Sequence, residues 1–469
     1  MLTKNIEEKN ITLLNNYLCS VKNSEYSISQ IRKKINSMAQ QEMDRIKRIR
    51  RSFSTMPLTG EDLDDQTGLY VNTIEARTGN PKKSPIVDIY EACTEESPNY
   101  IHLLLGHRGC GKSTELNNLE KKLQKENYTL RKIDCQSETN LTKIKLEDVL
   151  ILISDALLDI CNEKGIDIDS EEIKILDSFF ATIEKQKRIG SQKEKKIHSG
   201  IGIGFSKIIQ LVAEVKGQII NTSDEMITIR ETIQKRFSEW NECINNIIEK
   251  IKQADNLRHP IIIIENLDKI ELEIAIEIFK DDNLGKICTY IVFTFPISLS
   301  YDAKFRAITQ YATSHIFPMI DVKTKEGKRN EKGYETIKKI IEKRAELELF
   351  EEEALDLIIE KTGGSLRDVF RCIMEAAKYA NRGEKDKIGL EEVNMALDDE
   401  KYNYLSRRIS MKDYPALNEI HRTKNEIENH NDMLRFLEAH VVLEYNGKRW
   451  QDLHPLIYDF MNENGRIEQ

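Results

Sequence analysis

Gly106-His107-Arg108-Gly109-Cys110-Gly111-Lys112-Ser113-Thr114 follows the spacing G-x-x-x-x-G-K-[ST]. Tyr100-Ile101-His102-Leu103-Leu104-Leu105 precedes it and reads as a buried strand. Glu115-Leu116-Asn117-Asn118-Leu119-Glu120 follows it with the apolar spacing of a helix. A strand that ends in a glycine loop and opens a helix aims several backbone N–H groups at one point. The helix dipole adds partial positive charge there, so the point selects phosphate. The stretch from Gly106 to Thr114 is therefore expected to cradle a nucleotide, ATP in the first instance. Lys112 would reach the β- and γ-phosphates and the Ser113 hydroxyl would ligate Mg²⁺. Gly106 and Gly111 permit backbone angles and a close approach that a side chain forbids. A glycine-rich surface turn would not require Lys-Ser at the helix start.

A second landmark is Ile261-Ile262-Ile263-Ile264-Glu265-Asn266-Leu267-Asp268-Lys269. Four β-branched residues in a row read as a central strand buried on both faces. Carboxylates at the end of such a strand suit an ATP site, one holding the water shell of Mg²⁺ and another polarising the attacking water. Glu265 is the metal-side candidate. The neighbouring position, where a base is usual, holds Asn266, which cannot take a proton; Asp268 is the candidate substitute. Thr129 to Asp134 reads as a further strand and Leu146 to Asn162 as an amphipathic helix, giving the βαβα rhythm of a parallel sheet covered by helices. Cys288 to Phe295 is another strand, whose Thr294 is a candidate γ-phosphate sensor or an ordinary strand threonine. Ile316 to Ile320 is expected as the last strand, and Glu225 to Ala254 as one long helix.

Length and composition set the frame. A chain of 469 residues implies two or three domains. Net charge is −9, so a contact with nucleic acid needs a local basic patch. The start of the chain has no apolar leader, and no apolar run approaches the roughly 18 residues of a membrane span. Eight scattered cysteines with no C-x-x-C disfavour a zinc site or a disulfide framework, and fit a reducing cytoplasm.

The remaining stretches carry alternatives. Arg45, Lys47, Arg48, Arg50 and Arg51 form either a phosphate- or partner-binding cluster or a solvated helical face. Tyr70 and Val71 suit an adenine pocket or plain packing. Residues 181–224 break the sheet rhythm and read as an insertion with an exposed hairpin, whose lysines meet nucleic acid or water. Arg306 is a candidate arginine finger for a neighbouring subunit or a surface residue. Gly363-Gly364-Ser365-Leu366-Arg367-Asp368 separates two helices, with Ser365 as N-cap and Arg367 placed to reach back from a lid. Near the C-terminus, a helix over Asn431 to Ala439 and two strands joined by Asn446-Gly447 look like a winged helix, a module that binds DNA or docks proteins. Cys110, beside Lys112 at a helix start, is a candidate reactive thiol or merely a small residue that fits.

With these motifs together, the chain resembles the AAA+-like branch of P-loop ATPases, in the bacterial group that shares its architecture with origin-recognition and STAND ATPases. The resemblance covers roughly residues 65–460 and rests on the phosphate loop, "IIIIENLDK" where relatives usually read "DDLDK", "TFPI", "GGSLRD" and "LEYNGKRW…HPL". It implies a parallel α/β sheet flanked by helices, then a helical lid and a winged helix. The corresponding boundaries are an N-terminal helical arm over 1–60, a core over 61–325, a lid over 326–399 and a winged-helix-like unit over 400–469. It also implies ATP and Mg²⁺ as ligands, Thr294 as the first sensor, Arg367 as the second, and a cytoplasmic protein with a protein partner or a second copy of itself. Several relatives act in bacterial conflict with phages. Two functions compete: an ATPase that drives conformational change, and a nucleotide-gated switch with slow turnover, suggested by Asn266. A small-molecule kinase fits poorly, because about 150 residues separate the two motifs and the lid is helical.

Overall fold

The computed structural model describes residues 37, 41, 44–64, 68–95, 97–179, 205–220, 223–445 and 449–468. Five strands form one parallel sheet in the order β2-β3-β4-β1-β5. They are β1 (Ile101–Gly106), β2 (Leu130–Asp134), β3 (Ile261–Glu265), β4 (Tyr290–Pro296) and β5 (Ala312–Ile316). Flanked by helices, this is a parallel α/β sheet. The period-two alternation of side chains divides each strand between two cores. Leu103, Leu105, Ile262, Ile264, Phe293 and Phe295 join the core on one face. Leu104, Ile261, Ile263 and Val292 join that on the other. Both faces are covered, so the isoleucine run of β3 is apolar throughout rather than alternating.

Helices α1 (Pro85–Thr94) and α2 (Lys112–Lys125) cover the second face, and Ser84 caps α1 by accepting from the Val87 N–H at 3.3 Å. Helices α3 (Leu146–Lys164), α4 (Phe205–Gln218), α5 (Asp224–Lys235), α6 (Phe237–Ala254) and α7 (Leu272–Phe279) cover the first. Three local expectations change here. The run 225–254 is two helices, broken at Arg236, which has φ −118° and ψ 32° and pairs with Glu239. The described end of the insertion is no hairpin: α4 buries Ile208, Leu211, Val212 and Val215 against α3. Its Gly200–Gly204 run and its lysines from Lys185 to Lys196 lie outside the described residues. The last strand is Ala312–Ile316, in register with Ile101–Leu105; the Phe317 N–H still donates to the Leu105 carbonyl at 2.7 Å, and the chain then leaves the sheet.

A third core unites the C-terminal helices. Helices α8 (Glu331–Glu342), α9 (Glu352–Lys361), α10 (Leu366–Arg382) and α11 (Leu390–Glu400) share it with α12 (Tyr414–Thr423), α13 (His430–Glu438) and α14 (Pro455–Glu463). Ile46, Ile49 and Phe53, from the helix over 44–52 and its end, are also buried in it. An antiparallel pair, β6 (Val442–Tyr445) and β7 (Trp450–Leu453), lies between α13 and α14. Its Asn446-Gly447 turn and Lys448 lie outside the described residues. Among the described residues no helix is long and apolar enough to cross a membrane.

Candidate nucleotide site

The loop after β1 is shaped by glycine. Gly109 has φ +85° and Gly111 φ +108°, left-handed angles that turn successive N–H groups inward and that L side chains rarely adopt. The remaining glycine is set by contact: a Cβ on Gly106 would stand 2.6 Å from the Phe317 carbonyl oxygen. Lys112 opens α2, and its ammonium is fully engaged inside the protein. Its Nζ donates to the carbonyls of Gly106 at 2.8 Å and His107 at 3.0 Å, and lies 2.8 Å from Asp268 Oδ2.

The acidic side lies at the carboxyl ends of β2 and β3. Glu265 ends β3 beside Asp134, its register partner on β2. Glu265 Oε2 lies 3.1 Å from Lys132 Nζ. Burial raises its pKa above the ordinary value, and Lys132 offsets part of that rise. Glu265 Oε1 is buried with no hydrogen-bond partner. Asp268 differs: burial raises its pKa, but Lys112, together with Arg108 and Lys269, brings it below the ordinary value. Expected as a substitute base, Asp268 is instead the counter-ion of Lys112, with its backbone carbonyl accepting from Arg108 Nε at 3.2 Å. Asn266 adopts φ +69° and donates from Nδ2 to Asp134 Oδ1 at 2.5 Å.

These groups line one cavity of about 720 Å³. Lys112, Ser113, Thr114, Glu265, Asp268, Gly109 and Gly111 contribute to its wall, as does Arg367 from the first turn of α10. The Arg367 N–H donates to the Gly109 carbonyl at 3.3 Å, and a Cβ on Gly109 would stand 2.6 Å from Arg367 Cβ. Tyr70 and Val71 line the cavity too, with Thr55, Leu58, Ile340 and Phe370 forming an apolar end. Thr294 does not reach the wall; its hydroxyl is buried on β4 without a hydrogen-bond partner. Arg306 is exposed on the short helix after β4.

The loop has a second side. Gly106, His107, Arg108 and Cys110 do not line the cavity. Cys110 is wholly buried with Sγ 3.9 Å from the Phe317 carbonyl oxygen, a position that shields it from reagents. His107 is buried and accepts the Glu444 N–H of β6 on Nε2 at 2.8 Å. Burial, His440 and Lys112 hold its pKa well below the ordinary value, which fits a neutral acceptor.

Three groups are not legible in the sequence as site residues. Arg77, fully buried, donates from Nη2 to the Cys110 carbonyl at 2.6 Å and from Nη1 to the Pro318 carbonyl at 2.5 Å. Nothing in its sequence surroundings marks it. Asp134 needs the strand order, which brings β2 beside β3. Arg344, which donates to the Leu69 carbonyl at 3.2 Å, reaches the apolar end from the turn after α8, where periodicity is silent.

No family model matches the chain, and no curated protein matches it. Several solved structures are distantly similar to it. The RuvB Holliday junction branch migration motor of Thermotoga maritima is 11% identical over 88% of this chain and 99% of that one, with TM-score 0.36. The ORC2 protein of Aeropyrum pernix, solved in ADPNP-ADP complexes, is 10% identical over 87% and 98%, with TM-score 0.39. A Walker-type ATPase of Pyrococcus abyssi is 12% identical over 88% and 99%, with TM-score 0.40. At these values the likeness identifies neither a family nor an activity, which must be argued from the site.

Proposed function

We propose that this chain is an AAA+-like ATPase that binds ATP with Mg²⁺ in the cavity between loop and α10, hydrolyses it, and uses the cycle to move its C-terminal elements. The carrying observation is that one loop serves both sides: Gly109 and Lys112 face the cavity, while His107 holds β6. Ser113 and Glu265 are the residues that would hold Mg²⁺. Their chemistry fits, because Mg²⁺ keeps most of its waters and takes one or two carboxylates plus phosphate oxygens. A buried carboxylate oxygen without a partner, such as Glu265 Oε1, is a group that a hydrated cation satisfies. When bound, the cation neutralises charge on the phosphates. The chain's own part is to aim N–H groups at the phosphates, to present Lys112, and to close Arg367 over the loop.

A nucleotide-gated switch with little turnover is the second reading. Asn266 favours it, as does the Lys112–Asp268 ion pair, which ATP must open. Partners are more simply protein than DNA. Trp450 is buried and stacked on Tyr445 at 4.5 Å, and Arg449 pairs with Glu444 at 3.1 Å, so the β6–β7 pair spends these side chains internally. Phosphate release by the full chain, measured beside its mass in solution with and without ATP and DNA, tests the proposal. Bound ATP with no phosphate released, whatever is added, would remove the ATPase reading and leave the switch.

A further inference from the structure

We propose that Asp134, at the end of β2, is the general base of the hydrolysis reaction and that Asn266 positions it. The inference rests on the proposed function, that this site hydrolyses ATP.

Among the described residues four carboxylates line the cavity: Glu115, Asp134, Glu265 and Asp268. A base needs an ionised, water-accessible oxygen within reach of the attacking water. Glu115 is buried and accepts the Tyr70 hydroxyl at 3.1 Å. Glu265 is buried, with Oε2 3.1 Å from Lys132 Nζ. Asp268 neutralises Lys112. Asp134 alone of the four is exposed. Its Oδ1 takes both of its hydrogen bonds, from Asn266 Nδ2 at 2.5 Å and from the Gln136 N–H at 2.9 Å. That leaves Oδ2 for the attacking water.

The geometry amounts to an exchange between neighbouring strands. In-register pairing sets Asp134 beside Glu265, so the end of β2 lies one strand spacing, about 4.8 Å, from the end of β3. The amide that replaces a carboxylate after Glu265 turns sideways. Asparagine tolerates the left-handed φ of +69° that directs it to β2. Its N–H donor fixes the Asp134 carboxylate, as a group that orients a base must do. In the reaction a water oxygen forms a bond to the γ-phosphorus and loses one proton to Asp134 Oδ2. The bond from the γ-phosphorus to the β–γ bridging oxygen breaks, and its electron pair leaves with ADP. Asp134 then returns the proton to phosphate or solvent.

The test uses the full chain with Mg·ATP. Asp134→Asn keeps the cap on residues 135–138, because asparagine caps as well as aspartate. It is expected to lower phosphate release at least about 100-fold, the usual share of a general base. Affinity for a fluorescent ATP analogue should not change, and acid-quenched protein should carry ATP rather than ADP. The double variant Asp134→Asn/Asn266→Asp returns a carboxylate to the pair and should recover part of the rate. A wild type that hydrolyses while Asp134→Asn hydrolyses equally well overturns the assignment and leaves the ATPase reading standing. Loss of analogue binding in Asp134→Asn overturns it as well, since the residue would then act in binding. A wild type that binds ATP and never releases phosphate overturns both.

Discussion

Replacing His107 by leucine isolates the link between the phosphate loop and the C-terminal elements. The Glu444 N–H goes to His107 and not across the hairpin. Glu444 and Gln451 face each other across β6 and β7, but the Gln451 N–H goes to the Lys424 carbonyl and the Glu444 N–H to His107. Leucine removes the acceptor and leaves a buried donor unsatisfied, which costs about 1–3 kcal/mol. If that cost falls on the local opening of β6, amide exchange at Glu444 speeds up about 5- to 150-fold, since 1.4 kcal/mol is a factor of ten. Native-state hydrogen–deuterium exchange read on peptides across 442–445 measures this directly. ATP supplies the second arm. Coupling between sites is reciprocal, so a ligand that reshapes the loop must alter Glu444 protection in the wild type and much less so in the variant. Equal exchange at Glu444 in the two proteins, with and without ATP, would refute the link.

Other perturbations probe the remaining grips on the loop. Asp268→Asn strips Lys112 of its buried counter-ion and should destabilise the nucleotide-free protein by about 3–5 kcal/mol; ATP should then raise the melting temperature more than it does in wild type, and an equal or smaller rise counts against the ion pair as a barrier to binding. Gly109→Ala meets both a φ of +85° and Arg367 Cβ at 2.6 Å, so ATP-analogue binding should fall sharply while the sheet core stays folded by circular dichroism; undiminished binding would mean that α10 moves freely. Acid should unfold the protein early. Burial holds His102 and His315 down at about 4 and His440 at about 3, so each is neutral when folded and takes its proton only on unfolding. From about pH 6.5 downward the unfolded chain therefore binds more protons, and stability falls by about 1.4 kcal/mol per pH unit for each histidine. The Asp368 carboxylate, lowered to about 2 by His454 against its burial, gives stability that is lost as the pH falls from about 3.9. A denaturant midpoint that stays flat between pH 6.5 and 4.5 would contradict the histidine account.

The sheet is readable because its strands are strongly patterned. The isoleucine run of β3 and the apolar run of β1 are buried on both faces, and nothing but a central strand suits them. Lys112, Ser113 and Glu265 are readable because motif spacing fixes where they fall. Asp134 is not, since its role depends on β2 pairing with β3 across more than a hundred residues, and strand order is not a local property of sequence. Motif spacing assigns His107 to a phosphate cradle, yet its side chain points to the opposite side. Spacing specifies the loop's path but not which way a non-glycine side chain leaves it. The bounds of β5 escape for the same kind of reason: Phe317, Met319 and Ile320 are as apolar as a strand, but they follow its end and fill the cores.

Each turn of the loop is held by a different part of the molecule, and this bears on how ATP would be felt. His107 binds β6, Arg108 binds the backbone of Asp268, Gly109 abuts Arg367 of α10, and the Cys110 carbonyl binds Arg77. Lys112 completes the set by pairing with Asp268. A phosphate arriving in the cavity competes for Lys112, so Asp268 must give up its partner or share it. Asp268 sits two residues past Asn266, which in turn holds Asp134. Release of Lys112 is thereby tied through one short turn, 266–268, to the orientation of Asp134. The same event acts on the loop segment that carries His107 and Gly109. On the proposed function, binding, chemistry and movement of α10 and β6 would then share a mechanical origin. This fixes the order of events: loosening Asp268 comes first, and variants that loosen it in advance, such as Asp268→Asn, should show Glu444 exchange shifted toward the ATP-bound value before any ATP is added.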